Sequence, residues 1–358
     1  MLGILSNRFI GLLIALFVLV SVFHLGARSN GVISGYDHTT LKPSQPKSLE
    51  SIKGDWQREQ VSSGDSPQKP TLPELNLQDV VPTHGNTDAI LYVHYDGDPI
   101  GRRNIQFFVD HALHSKADFY FIIQGYNVTI EIPEADNIFV IKRENSCYDL
   151  GAFGVVLQAD DGLVLKKYKR FLLTNSSVRG PFFPNWAYAN KEACWSNKFF
   201  NVLSDRVKLV GLTVNCDAAV PAKHLQSFAL ATDQIGMNLI LPALQCFSNR
   251  HDAIYKGELA LTNAILDAGY EAHPLYSQYR QVKQTNAEFW SNCLHADIQV
   301  PAGYAGMDAH PFDLMFTKIS RIDNDVVKDP MTPLGMVALN RLTEWADASE
   351  FSSYEQCG

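Results

Sequence analysis

The densest chemistry in the chain lies at residues 174–181, Thr-Asn-Ser-Ser-Val-Arg-Gly-Pro. A short apolar run, 168–173, stops there: Asn175, Ser176 and Ser177 follow Thr174, and Arg179, Gly180 and Pro181 come next. A buried strand that ends in small hydrogen-bonding residues, an arginine and a Gly-Pro break reads as a strand tip facing a crevice. In open α/β sheets, ligands bind at that edge. Asn and Ser bond hydroxyls or phosphate oxygens, and the arginine fork suits a phosphate. The same residue types also favour plain turns.

Four further positions have comparable chemistry. Asp149 precedes Leu150-Gly151-Ala152 at the expected start of a helix. There it either contacts a sugar or nucleotide or caps the helix. Asp96-Gly97-Asp98 is a literal Asp-x-Asp, a pattern that can hold a divalent cation against a diphosphate. It also follows a strand, where Asp and Gly make turns. Asp160-Asp161-Gly162 has the same turn character. His224 and Gln226 open an apolar stretch read as a helix over 222–238. On such a helix Gln226 and Asp233, seven apart, share one face, lining a cleft or facing solvent. Glu258 begins the next helix, where the dipole alone stabilises it. In a cleft it suits a general base for an acceptor hydroxyl. Gly-x-Ser-x-Gly, Walker A, His-Glu-x-x-His and a Gly-x-Gly-x-x-Gly after the first strand are absent from the sequence, which disfavours a hydrolase.

The elements that must position these residues begin at residue 87. Apolar runs predict strands at 89–95, 119–123, 138–141, 170–173 and 208–214. Helical spacing predicts helices at 103–114, 150–158, 222–238 and 258–268, the last stopped by Gly269. A weaker helix is expected at 334–346. Strand-helix alternation predicts an α/β fold with a mainly parallel sheet flanked by helices.

The chain has 358 residues, 46% hydrophobic and 19% charged, with a net charge of −8. That balance argues against nucleic acid as a partner. Residues 9–27 carry no formal charge and span roughly 28 Å as a helix, near the hydrocarbon thickness of a bilayer. Leu25-Gly26-Ala27 fits a cleavage site poorly because Leu25 is bulky. The expectation is a signal-anchor over 1–28, then a disordered Ser-, Gly- and Pro-rich stem over 29–86. A globular domain over 87–322 and a C-terminal extension over 323–358 follow. This is the layout of a single-pass type II protein of the Golgi or ER membrane, facing the lumen. Six cysteines form no Cys-x-x-Cys pair, so a zinc ribbon is not indicated, and six allow 15 disulfide connectivities. Sequons occur at Asn127 and Asn175. The second coincides with the suspected site and is expected to stay unmodified.

In order along the chain, residues 173–182, then 210–213, His224-Leu225-Gln226-Ser227-Phe228, and Tyr255-Lys256-Gly257-Glu258 with Gly269-Tyr270 resemble blocks of the rhamnan synthesis F family of glycosyltransferase-like proteins. The resemblance covers about 88–322. It implies a GT-A-like fold and transfer of a sugar from a nucleotide-sugar donor to a glycan acceptor. It implies donor contacts from Asp149, Asn175, Ser176 and Arg179, and acceptor contacts from His224 and Gln226. Glu258 or Asp233 would be the base, and Arg179 would face the departing diphosphate. Ser176 stands where the family pattern has Asp, which puts the use of Mn2+ or Mg2+ in question. The alternative is a non-catalytic glycan-binding or scaffolding subunit with the same fold.

Overall fold

In a computed structural model, the described residues are Leu77, Pro82, 85–184, Ala187, 194–217, 221–280, 284–293, 297–322 and 334–357. The chain divides into two units, Met1–Lys69 and Pro70–Gly358. The expected anchor at 9–27 and nearly all of the stem lie outside the described residues. Among the described residues, no helix is long and apolar enough to cross a membrane.

The second unit is built on seven strands: β1 (Asp88–Tyr95), β2 (Asp118–Gln124), β3 (Ile138–Arg143), β4 (Arg170–Asn175), β6 (Val207–Gly211), β9 (Ala229–Asp233) and β10 (Glu271–Pro274). Their order is β10-β6-β9-β4-β1-β2-β3. Every pairing is parallel except the two made by β9, with β4 and with β6. Two small ladders complete the set. β5 (Val178–Arg179) pairs with β11 (Thr317–Lys318), and β7 (Val214–Asn215) pairs with β8 (His224–Leu225). The fold is mixed α/β around a mainly parallel sheet.

Strand alternation explains the two cores. Ala89, Leu91 and Val93 of β1 point into one apolar layer, Ile90 and Tyr92 into the other. The first layer receives Phe153, Val156 and Leu157 of α2 (Asp149–Lys167), Met237 and Ile240 of α3 (Gln234–Ile240), and Leu261 and Ile265 of α4 (Leu259–Asp267). The second receives Ile105 and Phe108 of α1 (Pro99–His111), with Trp195 and Phe199. A sheet covered on both faces needs continuous apolar strands, which is why β1 and β2 are legible as runs.

Local signals set the helix starts. Asp98 is the N-cap of α1, accepting from the backbone N of Ile100 and of Gly101 at 3.1 Å each, and Pro99 opens the helix. The helix therefore begins before residue 103. The regular turns of α2 are broken at Asp160, Asp161 and Gly162, all with positive φ, in keeping with their turn composition. A π-helical turn, Ala253–Glu258, leads into α4, and Gly269 (φ +82) ends it.

The helix expected over 222–238 is not formed. The segment makes β8, then β9, and only from Gln234 a helix. Ala229-Leu230-Ala231 are good helix formers, but the slot between β4 and β6 dictates a strand, buried on both faces. Residues 334–357 pack on α1. Leu339 and Ala346 of α5 (Leu334–Ala348) join Phe107 in one cluster, His111 Nε2 lies 3.1 Å from Asp347 Oδ1, and Cys357 is bonded to Cys194. The extension is thereby part of the second unit.

Candidate active site

β1 has β2 and β3 on one side and β4 on the other, so the chain order reverses between β1 and β4. Such a switch point opens a crevice at the carboxyl ends of the strands. At the end of β1, Asp96 accepts from Thr129 N and Oγ1 at 3.2 and 3.1 Å and lies 3.3 Å from His94 Nε2. Asp98 caps α1. Both carboxylates of the Asp-x-Asp are engaged in holding loops. At the end of β4, Asn175 Oδ1 accepts from Ser177 N (3.0 Å) and Oγ (2.6 Å), closing an Asx turn. Asn175 is only 6% exposed. Ser176 is tied by its backbone, donating to Val93 O at 3.0 Å and accepting from Asn104 Nδ2 at 2.9 Å.

Arg179 turns away from this edge. Its Nε donates to Asn104 Oδ1 of α1 at 3.0 Å and its Nη1 to Thr343 Oγ1 of α5 at 3.4 Å. Burial, aided by the charge of Arg103, pushes its pKa down to about 10. On the ladder Lys318 pairs with Val178 and Thr317 with Arg179. Lys318 and Arg179 therefore project from opposite faces. The Lys318 ammonium lies 5.6 Å above the Phe228 ring.

Asp149 occupies the first turn of α2 without capping it. Tyr148 holds the N-cap position, with no side-chain cap bond. Among the described residues no hydrogen-bond donor reaches the Asp149 carboxylate. Burial pushes its pKa up to about 6; Lys318 opposes this and Glu258 adds to it. Glu258 accepts from Ser227 Oγ at 2.8 Å and Ser227 N at 3.3 Å. Burial pushes the Glu258 carboxyl up, but His224, Lys318 and the Ser227 bonds outweigh it, and the net shift is downward. The two carboxylates flank a packing contact. A Cβ on Gly257 would stand 3.5 Å from Leu150 Cδ1.

His224 is buried, its Nδ1 2.9 Å from Ala222 O. Gln226 is buried too. Its Oε1 accepts from Thr213 Oγ1, and its Nε2 donates to Asp297 Oδ2 at 3.0 Å. Gln299 Nε2 joins the network at Thr213 (3.5 Å), and Gln299 Oε1 accepts from the backbone N of Lys318 at 2.7 Å. Gln226 thus helps place the Lys318 strand. Asp233 lies at the other edge of the sheet, opposite Arg170, the first residue of β4. It accepts from Lys208 Nζ at 2.6 Å and caps α3 through Gly236 N at 2.9 Å. The shared face of Gln226 and Asp233 disappears with the helix that created it. Asp149, His224 and Glu258 are brought together; Asp233 and Arg179 are not among them. Lys318, Ser227 and Tyr92 were not evident from sequence, and a lone Lys in a two-residue strand has no motif to betray it.

Mn2+ and Mg2+ require several converging oxygen ligands. At this edge Asp96 and Asp98 are engaged, Asn175 and Ser176 carry no charge, and Asp149 and Glu258 have the Lys318 ammonium beside them. Among the described residues, only His114, Cys194 and Cys357 bring three candidate ligand atoms together. Cys194 and Cys357 are joined in a disulfide. The crevice residues do not fit a protein-held divalent cation, and no step below runs through one.

No protein-family model matches the chain, and no curated protein matches it. Among solved structures the chain is similar to the glycosyltransferase GlyE of Streptococcus pneumoniae TIGR4, at 11% identity and a TM-score of 0.37, covering 74% of this chain and 64% of GlyE. It is also similar to the mannosyltransferase PcManGT of Pyrobaculum calidifontis, solved with GDP-Man and Mn2+, at 10% identity and a TM-score of 0.34, covering 76% and 75%. The chain spans just under two thirds of the length of GlyE.

Proposed function

We propose that this chain is a GT-A-like glycosyltransferase that moves a sugar from a nucleotide-sugar donor to a glycan or glycoconjugate acceptor. The observation that carries this reading is the meeting of Asp149 and Glu258, from distant segments, at the carboxyl edge of the sheet, with proton affinities pushed apart. Two carboxyl groups tuned in opposite directions suit two roles. Asp149, with a pKa of about 6, is ionised at neutral pH yet basic enough to accept a proton, as a general base requires. Glu258, held low and bonded by Ser227, stays ionised and stabilises positive charge developing at the anomeric carbon. The acceptor oxygen bonds to that carbon, its proton passes to Asp149, and the anomeric C–O bond breaks with its electrons leaving on the diphosphate. His224 lies on the acceptor side, beside Glu258.

The compartment we propose is the lumen of the Golgi or ER, with anchorage through 9–27. All six cysteines pair, as Cys147–Cys246, Cys194–Cys357 and Cys216–Cys293, and such bonds persist in oxidising compartments.

A second reading, a non-catalytic glycan-binding subunit, is favoured by one observation. Asp96, Asp98 and Asn175 all serve the protein's own loops. A thermal-shift series of the full chain with UDP-, GDP- and dTDP-sugars separates the two. Donor at about 100 times its Kd stabilises by roughly 2.7 kcal/mol. A shift with one nucleotide class supports the enzyme; no shift with any sugar nucleotide sinks it.

A further inference from the structure

We propose that the crevice binds the donor diphosphate without a divalent cation, between the amino end of α2, the Lys318 ammonium and the Tyr92 hydroxyl; the proposal rests on the glycosyl-transfer reading above. The amino end of a helix carries positive partial charge and unpaired N–H groups that attract phosphate. In α2 no side chain caps this end. The independent observation is Tyr92. It is 1% exposed, and its hydroxyl has no hydrogen-bond partner. A buried hydroxyl left unpaired in a native structure calls for an explanation, and a ligand oxygen supplies one. Burial pushes the Tyr92 hydroxyl well above its ordinary pKa, with Asp149 adding and Arg179 opposing. It is therefore protonated at neutral pH and a donor, and it lies within reach of the charge on Asp149.

Lys318 supplies the full positive charge. Its backbone N is fixed by Gln299 at 2.7 Å, and its ammonium is set over the Phe228 ring. Its charge acts on both Asp149 and Glu258, so it stands where donor and carboxylates meet.

Taken alone, the Asp149 carboxylate repels an anion, so the Lys318 ammonium and the amino end of α2 must outweigh it. The charged groups acting on Asp149 are Glu258 and Lys318, with the Tyr92 hydroxyl nearby. A diphosphate held through a divalent cation needs the metal in solution; one held by these groups does not.

Isothermal titration of the full chain decides between them. The probes are inorganic pyrophosphate, UDP, GDP and dTDP, each in EDTA and in Mn2+, near neutral pH. The expected result is a nucleoside diphosphate whose Kd agrees within about threefold between EDTA and Mn2+. Lys318→Met is expected to weaken it by roughly tenfold or more, and Lys318→Arg to keep most of the affinity, because the charge-assisted bond is retained. Binding that EDTA abolishes and Mn2+ restores, or a Lys318→Met protein that binds as tightly as the wild type, overturns the proposal. If Lys318→Met does not fold, the EDTA and Mn2+ comparison on the unsubstituted protein still decides. Mn2+-dependent binding removes only the cation-free site. Failure of every nucleoside diphosphate in both conditions removes the glycosyl-transfer reading along with it.

Discussion

Replacing Asp149 by Asn is expected to stabilise this protein while abolishing sugar transfer. The Asp149 carboxyl is desolvated, sits beside Glu258, and has no hydrogen-bond donor among the described residues. Its pKa is about 6 against an ordinary value of 3.8. The folded state therefore holds the proton more tightly than the unfolded chain. Between those two values the folded protein carries more protons, and stability falls as the pH rises through the window. Above about pH 6 the loss is complete. At about 1.36 kcal/mol per unit, the difference amounts to roughly 3 kcal/mol. An amide at this position cannot ionise, so the variant escapes the loss. Urea unfolding of both proteins should show near-equal stability close to pH 3.5 and a gap approaching ~3 kcal/mol in favour of Asp149→Asn near pH 7.5. A gap that does not change with pH, or a variant less stable at neutral pH, refutes the claim that this carboxylate is held ionised at a cost. A gain in stability at the expense of activity is the usual mark of a functional group.

Gly154→Ala should unfold or badly loosen α2, because a Cβ there would stand 1.6 Å from Leu244 O; a loss of about 3 kcal/mol or more is expected in urea, and a neutral substitution would show the contact to be misplaced. Cys147→Ser with Cys246→Ser opens a bridge spanning 99 residues; the chain-entropy model gives a loss of about 4–5 kcal/mol, readable as a fall in the urea midpoint, and an unchanged midpoint would deny the bond a stabilising role. Asn127 is exposed in a sequon; chain made through a secretory pathway should therefore carry a glycan removed by PNGase F and lost in Asn127→Gln, and a band that PNGase F leaves in place would count against the lumenal reading.

Much of the fold was legible because its strands are buried on both faces. β1, β2, β3 and β4 each read as an apolar run, and each lies within two residues of its expected bounds. The start of α1 was equally available in Asp98-Pro99, an N-cap followed by proline. The segment 222–238 was not legible. Its residues favour a helix, and only the slot between β4 and β6, set by elements far away in sequence, makes Ala229–Asp233 a strand. That single difference moves Asp233 to the opposite edge of the sheet. The face that Arg179 takes was not legible for a related reason. Its place after the β4 tip was correct, but a two-residue ladder decides which face a side chain takes, and here it faces α1. Asp149 and Glu258 were legible as carboxylates at helix starts; their meeting was not, since it depends on tertiary packing alone.

That meeting needs an explanation, because taking a carboxylate out of water is costly. Burial raises the proton affinity of Asp149, and Lys318 outweighs the smaller contribution of Glu258 without cancelling the cost of burial. The segments that carry them are held by contacts that do not involve the charges. Cys147, two residues before Asp149, is bonded to Cys246 with a Cα separation of 4.9 Å. Gly151 and Gly154 let α2 approach the backbone of 244–246 so closely that a Cβ at either would meet it at under 3 Å. Gly257, next to Glu258, packs near Leu150, next to Asp149. Small residues and a covalent bond thus offset the cost of burying Asp149. Opening Cys147–Cys246 would free the α2 end to expose Asp149 to water, lowering its pKa towards the ordinary value. A polar turn or a structural ion pair has no need of such a brace. Two carboxylates with unequal proton affinities, one of them kept ionised at the cost of its burial, make sense where a proton is to be taken at one and a positive charge met at the other.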